Sequence, residues 1–76
     1  MMLRIKEYEP RYDEWRDGWM VGVRAELSND CWWRMECRGS SPEEALSYIP
    51  ELRSIVLDKV CLYLNGQAEP KSAENA

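Results

Sequence analysis

The sequence predicts an α+β domain in which a three-stranded antiparallel sheet, in the order β-β-β-α, carries one long helix on one face. In two segments, 19–27 and 31–38, every odd position is apolar. Such period-2 alternation indicates strands with one buried and one open face. Beyond residue 41 the apolar positions recur every three or four residues, which indicates a helix lying on a sheet. The 76 residues are thus divided into one domain over 1–66 and a polar tail over 67–76 that we expect to be disordered.

The first strand is predicted over residues 2–9, where Leu3 and Ile5 face the helix. Pro10 has no amide proton to donate to a neighbouring strand, so we expect the strand to end there. A polar loop over 10–18 follows, and its last two residues are an aspartate–glycine pair typical of a turn.

The second and third strands, 19–27 and 31–38, are separated by Ser28-Asn29-Asp30, a short turn sequence. They are therefore expected to form an antiparallel hairpin. In a simple meander the first and third strands are the two edges of the sheet. The side chains expected to meet the helix are Leu3, Ile5, Trp19, Val21, Val23, Ala25, Leu27, Trp33, Met35 and Cys37.

The helix begins with a capping box. Ser41 is a favourable N-cap, Pro42 fits the first helical position, and Glu44 is placed to accept a hydrogen bond from the amide of the cap residue. Pro50 cannot donate a helical hydrogen bond, so we expect the helix to kink or to split near it. Asn65-Gly66 supplies the C-terminal stop.

The three cysteines and the lack of histidine in the sequence restrict its chemistry. Cys31 and Cys37 lie about 20 Å apart along one strand, too far for a disulfide, and Cys61 makes the count odd. We expect all three to be reduced thiols used as small apolar residues. Without histidine, a CxxC pair or a glycine-rich phosphate loop, the sequence predicts no metal, no cofactor and no enzyme activity.

Charge and hydropathy indicate a soluble chain. The net charge is -4, the mean hydropathy is -0.62, and no stretch reaches the roughly 20 apolar residues that span a bilayer. The first residues lack the apolar core of a signal peptide, so we expect a cytoplasmic location without membrane contact.

The open face of the predicted sheet combines basic and aromatic side chains. It would present Arg4, Lys6, Tyr8, Met20, Arg24, Glu26, Trp32, Arg34, Glu36 and Arg38. An exposed Trp beside arginines is typical of a contact surface. The candidate partner-binding residues on this face are Trp32, Arg24, Arg34 and Arg38. A second interpretation of the charges stays open, because Arg and Glu on neighbouring strands also form ordinary cross-strand pairs.

The 10–18 loop supplies two further candidate partner-binding residues, Tyr12 and Trp15. Trp15 is either a contact residue or a lid on the edge of the core. The loop is also long enough to cover Trp32, so the exposure of that ring stays open as well.

The segment Gly-Ser-Ser-Pro-Glu-Glu-Ala-Leu from Gly39, with the helix that follows to Leu64, resembles the strand-to-helix step of HicB-type antitoxins. It is also similar to the final helix of double-stranded-RNA-binding domains, and both families place a three-stranded sheet before such a helix. The chain lacks the Pro-Gly-Cys turn of the first family and the initial helix and Lys cluster of the second, so neither activity is carried over. In size and acidity the chain resembles the small anti-CRISPR-type inhibitors that phages use against host defence systems, which implies a non-enzymatic inhibitor.

The leading hypothesis is a small non-enzymatic protein-binding inhibitor or adaptor, of the type that phages encode to block a host nucleic-acid-binding complex. Its acidic groups would complement a basic nucleic-acid-binding surface on the protein partner. The alternative is direct binding of single-stranded RNA or DNA, in which bases stack on Trp32 and Tyr8 while basic side chains follow the phosphates. A homodimer formed through a sheet edge or the open face is a third hypothesis.

Overall fold

The computed structural model describes residues 2–66, and its element order confirms the predicted α+β fold. The strands form one antiparallel sheet in the order β1-β2-β3, and both helices lie on the same face. The expected polar tail, 67–76, lies outside the described residues. The elements are β1 (Arg4–Asp13), β2 (Gly18–Ser28), β3 (Cys31–Gly39), α1 (Pro42–Ser47) and α2 (Ile49–Leu64).

The core lies between the helices and one face of β2 and β3. Val23 of β2 and Val56 of α2 are both completely buried, as the alternation of β2 and the spacing of α2 require. Trp33 packs edge-on against Tyr63, with 5.2 Å between the ring centres. Several expected core residues, Trp19 and Leu27 among them, pack against this cluster but are only partly buried. The buried residues are Val21, Val23, Ala25, Trp33, Ala45, Ile49, Leu52, Val56 and Val60.

β1 is longer than the sequence predicts, because Pro10 does not end it. The strand continues to Asp13, and its register with β2 shifts between Tyr8 and Arg11. Pro10 therefore lies in an irregular stretch of an edge strand, where its missing amide proton costs no ladder hydrogen bond. The expected loop over 10–18 is wrong for the same reason, and the connection to β2 is a turn of four residues, 14–17.

Leu3 and Ile5 lie on the helix side of the sheet, as expected, but they are not buried. Their exposed fractions are 40% and 37%. The cause is the position of α2, which packs on β2 and β3 and reaches β1 through an ion pair between Arg53 and Glu7. The prediction that the β1 side chains Leu3 and Ile5 belong to the core is therefore wrong.

The N-terminal cap of α1 differs from the predicted capping box in one contact. The Ser41 hydroxyl accepts a hydrogen bond from the Glu44 amide at 3.1 Å, as predicted. The Glu44 carboxylate, however, accepts from the amide and hydroxyl of Ser40, at 3.2 Å and 2.7 Å, and not from the Ser41 amide. The Glu44 carboxylate therefore bonds to the residue before the N-cap instead of to the N-cap itself.

The helical segment is split rather than continuous, which is one of the two forms that Pro50 predicts. α1 ends at Ser47, Tyr48 lies between the helices, and α2 begins at Ile49 with Pro50 in its first turn. A proline is tolerated in a first turn because the amide that it lacks has no partner within the helix there. Gly66 has a φ of 76° after the end of α2, so the predicted stop is confirmed.

We expect Leu52→Ala to lower the free energy of unfolding by about 2–5 kcal/mol, because it leaves a cavity under α2 in a core that has few other large residues. Leu62→Ala, on the same helix, is the matched control because its side chain is 43% exposed. Urea denaturation followed by circular dichroism would measure both. Equal losses for the two variants would contradict the placement of the core.

Candidate protein-binding site

The open face of the sheet is a regular grid, because both strand pairs keep the predicted alternation. The ten side chains expected there share this face, together with Arg11. One cross-strand row holds three cations side by side. The four rows, from the hairpin turn towards the β1–β2 turn, are Arg4–Glu26–Trp32, Lys6–Arg24–Arg34, Tyr8–Gly22–Glu36 and Arg11–Met20–Arg38.

Two carboxylates offset part of the positive charge on this face. Glu26 lies 2.9 Å from Nε of Arg24 and 3.9 Å from Nζ of Lys6. Glu36 lies 2.9 Å from a terminal guanidinium nitrogen of Arg34. This is the paired arrangement that ordinary cross-strand charges adopt, and each exposed pair contributes at most about 1 kcal/mol.

Guanidinium groups cover both aromatic rings of the open face. The Arg24 guanidinium carbon is 4.4 Å from the centre of the Trp32 ring, and that of Arg34 is 5.1 Å from the centre of the Tyr8 ring. Such cation–π contacts hold a planar cation over an aromatic face. Trp32 is consequently half-buried, and the group that stacks on it comes from β2 of its own sheet.

The turn between β1 and β2 is held by one carboxylate. Oδ1 of Asp13 accepts hydrogen bonds from the amides of Trp15 and Arg16, at 2.9 Å and 3.1 Å. Oδ2 of Asp13 receives the Arg16 guanidinium at 2.7 Å. Bonds from an Asp side chain to amides two and three residues later stabilise a tight turn, because they replace backbone partners that a turn lacks.

Two further candidate residues hold this turn from outside it. Arg38, on β3, donates from its guanidinium to the carbonyl oxygens of Arg16 and Asp17. The Tyr12 hydroxyl donates to Oδ1 of Asp17 at 2.7 Å. Gly18 leaves room for this arrangement, since a Cβ there would lie 2.3 Å from Nε of Arg38. Tyr12 and Arg38, predicted as contact residues, thus support the turn.

Trp15, at the tip of the turn, is 98% exposed. The interpretation of Trp15 as a lid on the edge of the core is therefore wrong. Its backbone amide is bonded to Asp13, so the indole projects from a fixed main chain. A rigid aromatic side chain in this setting can enter a pocket on a partner with little loss of conformational entropy.

The six predicted contact residues form two groups. Tyr12, Trp15 and Arg38 meet at the β1–β2 turn, whereas Trp32, Arg24 and Arg34 lie on the sheet face. A shallow hollow of about 470 Å³ lies beside the second group, and it is lined by Arg16, Met20, Trp32, Arg34, Met35 and Glu36. Asp13 and Arg16, which hold the turn, are not among the predicted contact residues, although an Asp two residues before Trp15 is a signal for this kind of turn.

Acidic groups cluster around the tip of the hairpin. Trp19 pairs with Gly39, so the β1–β2 turn and the start of α1 lie at the same end of the sheet. This end carries Glu14 on the turn and Glu43 and Glu44 in the first turn of α1. Hydrogen bonds from Ser40 keep the pKa of Glu44 below its usual value, so its carboxylate is ionised at neutral pH.

The cysteines do not form a reactive or metal-binding group within the described chain. Cys31 and Cys37 are half-buried on the helix side, and burial raises the pKa of the Cys37 thiol. Cys61 is exposed, so its expected use as an inward apolar residue is wrong. Among residues 2–66, no three Cys, Asp or Glu side chains lie close enough together to hold a metal ion.

Comparisons of the chain with protein-family models, with curated proteins and with solved structures find no match. Within residues 2–66, neither helix is long and apolar enough to cross a membrane.

We expect the turn to loosen in acid. Hydrogen bonds from the Arg16 amide and side chain hold the pKa of Asp13 below its ordinary value of 3.8. Because the pKa is lowered on folding, the stabilisation is present above pH 3.8 and is lost as the pH falls below that value towards the folded-state pKa. Amide chemical shifts of Trp15 and Arg16, followed by NMR during acidification, would measure the loss.

Asp13→Asn is the control for this titration, because an amide keeps the acceptor oxygen but does not ionise. The acid transition of the Trp15 and Arg16 amides should be absent in this variant. A transition of equal size with and without the carboxylate would show that Asp13 does not hold the turn.

Proposed function

We propose that this protein is a non-enzymatic protein-binding inhibitor or adaptor that docks through the tip of its β1–β2 hairpin, with Trp15 as the anchor. The observation that carries the proposal is the full exposure of Trp15 on a turn fixed by Asp13, Tyr12 and Arg38. Tryptophan is enriched among the few residues that dominate binding energy in protein interfaces. Because the indole is 98% exposed among residues 2–66, the packing of this part of the chain does not explain its presence.

The fixed turn favours binding through its effect on entropy. A flexible loop would lose conformational freedom on docking, whereas this turn already has its amides and two carbonyls bonded to Asp13 and Arg38. A buried Trp removes about 150–250 Å² from water. That area is sufficient for an anchor whose truncation costs about 2 kcal/mol or more.

The charges around the tip support a basic surface on the partner. Glu14, Glu43 and Glu44 lie at the same end of the molecule as Trp15. The cations at the turn, Arg16 and Arg38, are bonded to Asp13 and to main-chain carbonyls. Carboxylates at the rim of an interface accelerate association with a basic patch and disfavour acidic partners. The proposed target class is a nucleic-acid-binding complex, as for the phage inhibitors that the chain resembles in size and acidity.

We expect Trp15→Ala to weaken binding to the protein partner about 30-fold, which corresponds to about 2 kcal/mol, without lowering the stability of the domain. The partner is first captured on the tagged protein from a lysate of the source organism, with and without nuclease. Calorimetric titration of the purified partner then measures the affinity of each variant.

Two matched variants decide between the groups of residues. Trp32→Ala removes the half-buried ring of the open face, and Leu62→Ala removes an exposed side chain of α2. Under the proposal, both retain most of the affinity that Trp15→Ala loses. Retention of affinity by Trp15→Ala, with loss in Trp32→Ala, would move the site to the open face and contradict the proposal.

One observation favours a second candidate function, the binding of single-stranded RNA or DNA by the open face. The row formed by Lys6, Arg24 and Arg34 is a continuous strip of cations, and Trp32 and Tyr8 flank it. The strip suits a phosphate backbone and the rings suit stacked bases. Glu26 and Glu36, in the rows on either side of the strip, pair with its arginines, and guanidiniums are already stacked on both rings. This candidate is therefore the weaker one.

If the second candidate is correct, the affinity for a fluorescent oligonucleotide should fall steeply with salt. Arg34→Ala should weaken binding and reduce the slope of log affinity against log salt by about 1, because one phosphate contact is lost. Fluorescence anisotropy at several salt concentrations measures both effects. No binding at the lowest salt concentration would exclude this function.

A further inference from the structure

The two edges of the sheet are protected to different degrees. The outer edge of β1 carries Lys6, Pro10 and a register shift, which are the usual devices that prevent a further strand from pairing. β3 has no proline, and the register shift in its pairing with β2 falls at Cys31, so the register is unbroken from Trp32 to Gly39. Its charged side chains, Arg34, Glu36 and Arg38, alternate in sign along the strand. Within residues 2–66, no strand pairs with the outer edge of β3.

An apolar groove lies beside this unprotected edge, on the helix side. It has a volume of about 310 Å³ and is formed where α2 stands over the edge of β3. Met35 and Ile55 are half-buried in its wall. The residues that line it are Met35, Glu36, Cys37, Arg38, Tyr48, Glu51, Leu52 and Ile55. The edge thus combines free main-chain hydrogen-bonding groups with apolar surface, which a pairing strand would cover.

We propose that the outer edge of β3 pairs antiparallel with the same edge of a second copy of this chain, with the two Met35 residues opposite each other on a two-fold axis. The charges that flank Met35 are self-complementary, with Arg34 before it and Glu36 after it, which is the pattern that an isologous contact requires. The resulting cross-edge pairs are Arg34 with Glu36, Trp32 with Arg38, Trp33 with Cys37, and Cys31 with Gly39.

The charges in this register are complementary. Residues directly opposite in an antiparallel pair have Cβ atoms about 4.5–5.5 Å apart, so each Arg34 would face a Glu36 of the other copy. Within one copy these two side chains are already 2.9 Å apart along the strand. In the dimer the four groups would form a closed ring of alternating charge.

Neighbouring registers are unfavourable, so the charges select one alignment. A shift by one residue would turn the second copy over relative to the first, because successive side chains of a strand point to opposite faces. Apolar side chains of the second copy would then lie on the open face. A shift by two residues in one direction places Glu36 opposite Glu36 and Arg34 opposite Arg38. The opposite shift places Arg34 opposite Arg34. Like charges directly opposite destabilise a strand pair.

On the helix side, the same axis would join the two apolar grooves. Met35 and Ile55 line the same groove. The two-fold axis, which runs between the two Met35 residues, therefore also passes near Ile55. Glu51 and Lys59 lie one turn before and one turn after Ile55 on α2. A two-fold axis at this place brings Glu51 of one helix towards Lys59 of the other, which is a second complementary pair.

Sedimentation equilibrium of the full chain should give a mass near twice the 9.0 kDa of one chain at micromolar concentrations and above. Glu36→Arg places like charges opposite each other at two positions of the dimer, and it should weaken dimerisation about tenfold or more. Arg34→Glu should have the same effect. The double variant Arg34→Glu/Glu36→Arg restores the complementarity and should restore the dimer.

Lys6→Glu, on the outer edge of β1, is the control and should leave the dimer unchanged. Circular dichroism shows whether each variant is folded. A monomer at every concentration overturns the proposal. A dimer that is equally stable in Glu36→Arg and in the double variant also overturns it.

A disulfide tests the register directly and does not depend on the charge variants. With the three native cysteines changed to Ser, Met35→Cys places two thiols opposite each other within the Cα distance that a disulfide needs. Mild oxidation should then convert most of the protein into a linked dimer. Trp32→Cys in the same background should not be linked, because Trp32 residues of the two copies lie about 20 Å apart in this register. Equal linking of the two variants, or linking of neither, contradicts the proposed edge.

Discussion

The packing of α2 across β2 and β3 is the contact on which the rest of the structure depends. A helix with its side chains is about 10 Å wide, and strands are spaced about 4.8 Å apart, so one helix covers about two strands. Val56 and Val60 accordingly lie over β2 and β3, while Leu3 and Ile5 of β1 stay half-exposed. Every surface with a proposed role lies outside this covered area: the hairpin tip, the open face and the edge of β3.

Arg38 connects two of these surfaces. Its backbone belongs to the regular part of β3, whereas its guanidinium bonds to the carbonyl oxygens of Arg16 and Asp17 in the turn. The rigid sheet thereby fixes the turn that presents Trp15.

The sequence is sufficient to predict the elements whose signals are local. The alternation in β2 and β3, the Ser41 cap and the break at Pro50 are read from neighbouring residues, and all three are present. The course of β1 past Pro10 cannot be predicted from neighbouring residues. A Pro is tolerated in a strand only at a sheet edge or in an irregular pairing, and both depend on how the strands are arranged in the fold. The exposure of Trp15 was equally beyond prediction, since it depends on Asp13 and on Arg38, 23 positions after Trp15 in the chain. The roles of the candidate residues therefore follow from tertiary contacts, whereas their positions on the open face follow from the strand period.

In the proposed complex, Trp15 enters the partner while the rings of the sheet do not. Fluorine NMR of protein labelled with fluorotryptophan gives one resonance for each of the four tryptophans, and single substitutions assign them. During titration with the partner protein, the account predicts that the Trp15 resonance shifts most and becomes inaccessible to a soluble paramagnetic quencher. The buried Trp33 resonance serves as the internal reference, since it is shielded before and after binding. A Trp15 resonance that stays unshifted and fully quenched in the complex, while that of Trp32 moves, would contradict the account.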